Sequence, residues 1–257
     1  MRIAMVDPSL FTGRYDDSLC AALARVVGGQ QVTLLGRPMR DTDAILPDGY
    51  RYHPRFFRLS ERLRGMLGEG AAFRAAKAVD YLVHARLGGI GDLRGVDAVH
   101  FQWLPFPAAD RMLLARLVMA GQGRRPALIH TVHNASAFHG DSGAQGTGYR
   151  ALLDRFDALI VHGEETRAAL LAQGVTEKRL HVVPHPPMEL AAATSADLAA
   201  VPDALVPRIL FFGTIRPYKG FDLLIEACLR LWHAGLAFEL AVAGKPFLDI
   251  APLLDRV

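Results

Sequence analysis

The stretch ILFFGTIRPYKGFDLLIEA, from Ile209 to Ala227, decides how the rest of the chain is read. Its apolar run up to Phe212 fits a strand covered on both faces. Gly213 and Gly220 bracket a turn, and the segment after it is apolar at helical spacing. A turn at that place lies beside the first free N–H groups of a helix, where the backbone already favours an anion. Arg216 and Lys219 add two fixed positive charges there. The stretch therefore predicts a strand, an anion-binding turn and a helix.

Working outward, short runs rich in β-branched residues recur at 2–6, 31–35, 97–101, 127–132, 158–162 and 180–184. Helical spacing separates several of them, at Asp16–Val27, Ala108–Met119 and Glu164–Gln173. This βαβ rhythm predicts an α/β fold with a parallel sheet flanked by helices. The first domain is expected over 1–187. Residues 188–206, rich in alanine and punctuated by proline, read as a linker. A second βαβ unit follows over 207–257, with strands at 208–212 and 238–244 and a helix from about Lys219 to His233. Two parallel strands cannot bury both their faces, so this domain is expected to be incomplete and the chain to be a fragment or a truncated product.

At 257 residues and 51% hydrophobic content the chain has material for a full core. Even RMLLARLVMA is broken by Arg116, and no run approaches a membrane span. The opening MRIAMVDPSLF is too short and too soon broken for a secretory signal, which places the chain in the cytoplasm. Cys20 and Cys228 fit reduced core thiols. The net charge of +3 is concentrated in residues 51–64, RYHPRFFRLSERLR. Those arginines, interleaved with Tyr52, Phe56, Phe57, Leu59 and Leu63, could meet anionic headgroups at the inner face of the membrane; an ordinary solvated helix face is the alternative. No nucleic-acid-binding motif accompanies them.

Ligands of open parallel sheets bind outside the carboxyl ends of the strands. Asp7, Ser9, Gly13 and Arg14 follow the first strand; His100, Gln102 and Trp103 the third; His133 and Asn134 the fourth; His162, Glu164 and Glu165 the fifth; His185 the sixth. These polar side chains point to one ligand-binding rim, facing a cleft between the domains. The protease-like HGDSG at 139–143 is incompatible with alternating strands and helices, and HGDSGAQGTG reads better as a Gly-rich loop over a site. His130 and His133 would point to opposite faces of a strand, against a metal site with His139. GGIGDLRG at 88–95 has Arg94 in place of a third glycine and no strand before it, which argues against a dinucleotide site.

FFGTIRPYKGFDLLIEA resembles the opening of the second domain in retaining GT-B-fold glycosyltransferases of family 4: a strand, then G-x-x-x-x-x-K-G and an apolar helix, with Gly213, Arg216, Lys219 and Gly220 at the motif positions. DPSLFTGRYDDSL, HFQWLP, HTVHN and LHVVPHPP resemble the acceptor loop and later strand ends of the first domain, although many relatives have Asn-Gly where this chain has His185 and Pro186. The resemblance implies a GT-B-like fold and transfer of a hexose from a nucleotide-diphosphate sugar to a hydroxyl of a polysaccharide or lipid-linked acceptor. It implies that Gly213, Arg216, Lys219 and Gly220 hold the donor diphosphate, with the two cations catalytic. It also implies that His133 lines the sugar pocket near the reacting centre, that Asn134 orients a hydroxyl, and that Ser9, Gly13, Arg14, Gln102, Trp103, His162 and His185 belong to the acceptor or sugar pocket. No cofactor or metal is expected. The family's Gly-rich turn and paired glutamates have no counterpart in the second domain as given, which keeps two rivals open: a GT-B-fold sugar-nucleotide epimerase and a non-catalytic sugar or nucleotide binder.

Overall fold

The computed structural model describes residues 1–43, 45–88, 93, 95–119, 125–135, 148–186, 194–196 and 206–257. The chain divides into two compact units, Met1–Glu189 and Leu190–Val257. Most of the expected linker and of the HGDSGAQGTG segment, with His139 and Ser142, lies outside the described residues.

The first unit is built on a seven-stranded, wholly parallel sheet. In chain order its elements are β1 (Ile3–Val6), α1 (Gly13–Val27), β2 (Val32–Gly36), β3 (Arg51–Pro54), α2 (Arg58–Leu67), α3 (Ala71–Leu87), β4 (Ala98–Phe101), α4 (Pro107–Met119), β5 (Ala127–Thr131), α5 (Tyr149–Leu153), β6 (Ala158–Val161), α6 (Glu164–Ala172) and β7 (Leu180–Val182). In space the order is β3-β2-β1-β4-β5-β6-β7. The direction of winding therefore reverses between β1 and β4, and it is beside such a reversal that open α/β sheets hold ligands.

Alternation along β1 shows why the strand is continuously apolar. Ile3 and Met5 feed one core with Cys20, Ala24, Val32 and Leu34, while Ala4 and Val6 feed a larger one with Leu35, Val99, Phe101 and Leu128. Each strand residue thus meets a helix layer on one face or the other, as the apolar runs predicted.

The basic segment 51–64 is not one surface. Arg51–Pro54 forms the edge strand β3, which pairs only with β2 and needs no apolar run. The expectation that Phe56 and Phe57 enter an interface is overturned, because both are buried. The Phe57 ring stacks on Tyr81, 5.3 Å between centroids and 25° from parallel, and Phe56 lies 5.8 Å from the same ring. The apolar area these rings remove from water holds α3 against the entry to α2.

In the second unit β8 (Arg208–Phe212) pairs in parallel with β9 (Glu239–Ala243), joined through α7 (Phe221–His233), and a short α8 (Ala251–Leu254) follows. Its core is Ile215, Phe221 and Ile225, with Phe211, Leu224, Leu240, Leu248, Ile250 and Leu253 packed around it. The other sheet face is open: Leu210 is 62% exposed and Phe212 84%. This agrees with an incomplete Rossmann-like unit, a two-stranded sheet covered on one side only. Among the described residues no helix is long and apolar enough to cross a membrane.

Candidate functional site

The register places the polar residues of the first unit in a row. Val6 lies opposite Phe101, and Phe101 opposite His130; Ile160 lies opposite Thr131 and His181. The residues just past these partners therefore emerge together at the carboxyl rim. His133, His162 and His185 meet there around Tyr15, whose ring lies 5.4, 5.4 and 5.0 Å from theirs. Trp103 stacks on His133, 5.0 Å away and 7° from parallel, and Phe11 meets the edge of Trp103 at 4.7 Å.

Hydrogen bonds lock this ring cluster. The Trp103 indole N–H donates to Thr12 Oγ1 at 3.0 Å, and the Thr12 hydroxyl donates to Asp16 Oδ1 at 3.4 Å. His133 Nε2–H donates to Gln102 Oε1 at 3.0 Å, while the Gln102 amide donates to Met5 Sδ at 3.0 Å. Among the described residues His133 Nδ1 has no hydrogen-bond partner. Burial, reinforced by the neighbouring histidines, lowers its pKa to about 3, so it is neutral at physiological pH and acts through hydrogen bonds rather than charge. His162 Nδ1–H donates to the Val183 carbonyl at 2.9 Å, and its enclosed Nε2 has no hydrogen-bond partner among the described residues. His100 and His130 are core residues. They bond Thr131 Oγ1 at 2.8 Å and the Tyr149 hydroxyl at 2.9 Å.

Asp7 and Asp16 are fully buried behind the rim. Asp7 accepts the N–H groups of Ser9 and Thr12, each at 3.1 Å, which fixes the loop leading into α1. Burial pushes the Asp16 carboxyl well up, and the charge of Asp7 pushes it further. Asp7 is raised by burial, against the bonds it accepts. Ser9 is tied down as well, by Arg37 Nε at its carbonyl and Lys77 at its hydroxyl. Gly13 opens α1 where a Cβ would come within 2.9 Å of Ile45 Cδ1. Arg14, with no ion pair among the described residues, lines a cavity of about 380 Å³ together with Phe11, Thr12, Tyr15, Thr42 and His185. Asn134 follows His133 directly and is half-buried.

The turn of the second unit is organised differently. Gly213, at φ 122°, donates its N–H to Ala243 O at 2.9 Å, and a Cβ on Gly244 would fall 1.7 Å from Gly213 O. Only glycine permits this approach of the two strand ends. Gly220, at φ 65°, carries the chain into α7. Arg216 lies over the Phe247 ring at 3.9 Å, and Lys219 is 5.5 Å from the Tyr218 ring. Among the described residues neither cation has a carboxylate partner. A third, Lys245, is the second residue after β9, with its ammonium 5.6 Å from the Phe247 ring centroid.

The structure brings together Gln102, Trp103, His133, His162 and His185, and separately Gly213, Arg216, Lys219 and Gly220. Sequence reading passed over Tyr15, Thr12, Lys245 and Phe247. Inspecting the end of β9 as the other strand ends were inspected finds Lys245; nothing in the residue pattern singles out Tyr15, whose place depends on three distant histidines. Among the described residues no group of three or more histidine, cysteine or acidic side chains could hold a metal.

A sequence model of Glycosyltransferase Family 4 matches residues 12–186. D-inositol 3-phosphate glycosyltransferases of Mycobacterium sp. strains KMS and JLS are 34% identical over 134 residues, covering 46% of this chain and 29% of theirs. The chain thus matches under a third of the length of these relatives. Among solved structures, Anabaena Alr3699/HepE in complex with UDP and glucose aligns with a TM-score of 0.57 at 13% identity, over 99% of this chain and 64% of that one. A glycosyltransferase from Rickettsia africae aligns with a TM-score of 0.52 at 14% identity, over 99% and 62%. At such identities these two likenesses establish the fold.

Proposed function

The chain belongs to glycosyltransferase family 4, and from that membership we propose that it carries the acceptor-side domain and the start of the donor-side domain of a hexosyltransferase. The donor is a nucleotide-diphosphate sugar, and the acceptor a hydroxyl of a polysaccharide or lipid-linked saccharide. The observation that carries this reading is the pair Arg216 and Lys219, without a carboxylate partner among the described residues, at a strand end just before α7. As the bond to the anomeric carbon breaks, negative charge grows on the leaving diphosphate. Cations and helix N–H groups already in place stabilise it without reorganising. Such a turn needs no divalent metal to neutralise the leaving group. The UDP in the Anabaena HepE complex supports a nucleotide-diphosphate donor.

In the first domain neutral His133 is the hydrogen-bonding group of the sugar pocket, held by Trp103 and Gln102, and Asn134 orients a hydroxyl. Arg14 and its cavity belong to the acceptor side. The reaction runs in the cytoplasm. The exposed face of α2, with Arg58, Leu59 and Arg62 beside Val83 and Leu87 of α3, gives a narrower basic and apolar surface for an anionic membrane than 51–64 as a whole. Charge reversal at Arg58 and Arg62 is expected to abolish cosedimentation with vesicles containing anionic lipid. Binding that persists would remove this face from the reading, and a wild type that does not cosediment would remove the membrane.

The test of the donor site is titration of UDP into the wild-type chain, Arg216→Ala and Lys219→Ala. Each substitution is expected to weaken binding at least tenfold, on the order of a lost charge-assisted contact. In a protein extended to a full second domain, each should lower transfer on the order of a hundredfold. Unchanged UDP affinity in both variants would end the assignment.

A further inference from the structure

Phe247 is out of place for a core residue. It is 50% exposed and takes no part in the Ile215, Phe221 and Ile225 core, whereas its neighbour Leu248 packs there. Its backbone is fixed all the same. The Phe247 N–H donates to the Ile215 carbonyl at 2.9 Å, the Ile215 N–H donates to the Lys245 carbonyl at 3.0 Å, and Ile215 bridges Pro246 in parallel. The segment after β9 is thereby strapped alongside the segment carrying Arg216. The ring it presents sits under the Arg216 guanidinium at 3.9 Å, with Lys245 Nζ at 5.6 Å. An aromatic face attracts a cation through its quadrupole and, unlike a carboxylate, leaves the cation's charge available. Two cations at one ring, with Lys219 at the same turn and no acid among the described residues bonded to any of them, repel each other unless a multiply charged anion joins them.

We propose that the Lys245–Phe247 strap is a second wall of the anion site: Phe247 is a positioning residue that holds the Arg216 guanidinium in its binding pose, and Lys245 is a third cationic contact to the diphosphate. This rests on the reading of Arg216 and Lys219 as a diphosphate site and extends it to residues outside the motif. A ring in place of an acid orients the arginine without neutralising it, so the full charge meets the ligand.

The experiment titrates inorganic pyrophosphate into the 257-residue chain at several salt concentrations, with thermal unfolding recorded for each variant. Phe247→Leu is expected to weaken binding about threefold with an unchanged melting temperature, since the ring lies outside the core, and Phe247→Trp to restore it. Lys245→Gln is expected to weaken binding roughly tenfold and to flatten the salt dependence. In an Arg216→Gln background, Phe247→Leu should have no further effect, an outcome that a merely structural role would not produce. If Arg216→Ala and Lys219→Ala weaken binding while Phe247→Leu and Lys245→Gln bind as wild type, the strap is not part of the site and the donor reading stands. Equal losses from Phe247→Leu with and without Arg216 would overturn the positioning role. If the wild type does not bind pyrophosphate, or Arg216→Ala and Lys219→Ala bind as it does, the donor reading falls and the strap with it.

Discussion

At the carboxyl rim of the seven-stranded sheet, polar side chains bond mainly to one another: Trp103 to Thr12, Thr12 to Asp16, His133 to Gln102. At the end of the β8–β9 pair three cations stand with aromatic rings beside them and, among the described residues, no acid paired with them. The two places are topologically alike, each being where strands hand over to helices, yet they treat charge in opposite ways. A buried rim must satisfy its polar groups internally, and what results is a rigid, nearly neutral surface suited to orienting hydroxyls. An exposed turn is relieved of that demand by water and can keep its charges unpaired for an anion.

The contrast breaks most visibly through the cores beneath the two places. Phe101 is fully buried under the first rim, and Phe101→Ala should cost about 3–5 kcal/mol in equilibrium denaturation. Among the described residues Phe221 is one of the few buried side chains of the second unit, so Phe221→Ala should abolish the ordered structure of that unit in hydrogen exchange while the first unit stays protected. Protection lost in both units would mean that they do not fold separately.

A smaller effect sharpens the account of the rim. Thr12→Val leaves the Trp103 N–H without its acceptor and should cost about 1–3 kcal/mol, with a change in tryptophan fluorescence that Thr12→Ser reverses. A silent Thr12→Val would show that the Trp103 stack on His133 does not depend on this bond.

The smallest effect is the dependence on pH. Burial holds His100 and His133 near 3 and His84 and His130 near 4, below the ordinary 6.5. Between about pH 4 and 6.5 the unfolded chain therefore binds more protons at these four sites, and their contribution to stability is lost as pH falls. Asp110, raised to about 7 by burial, works the other way: it keeps in the folded state a proton that the unfolded state releases above 3.8, and Asp7 and Asp16 act in the same sense. The histidines outnumber these carboxyls, so the net effect is a loss of stability toward acid. Urea denaturation at pH 5 and pH 7 checks the sign. Higher stability at pH 5 would mean that these four histidines are not held neutral.

Much of this was legible in the residues. The strands of the sheet interior could be read to within a residue or two, because a strand covered on both faces must be apolar throughout. The edge strand Arg51–Pro54 could not, since one neighbour and one covered face leave no such constraint. The same blindness made Phe56 and Phe57 look like surface rings among arginines, when Tyr81, more than twenty residues on, is what buries them. The rim histidines are legible because each stands just past the carboxyl end of an apolar run. Their partners Tyr15 and Thr12 come from the loop and first turn after β1 and meet them only through the register of the sheet.

Periodicity and turn chemistry alone determined that this chain alternates parallel strands with helices and that a cationic turn opens its second unit. Those are properties of short segments, set by steric preference and by which faces must be apolar. Tertiary structure decided which polar groups cancel one another and which are left over. Pairing depends on distances between segments far apart in the chain, and whether a charge is worth pairing depends on how much water the fold leaves around it.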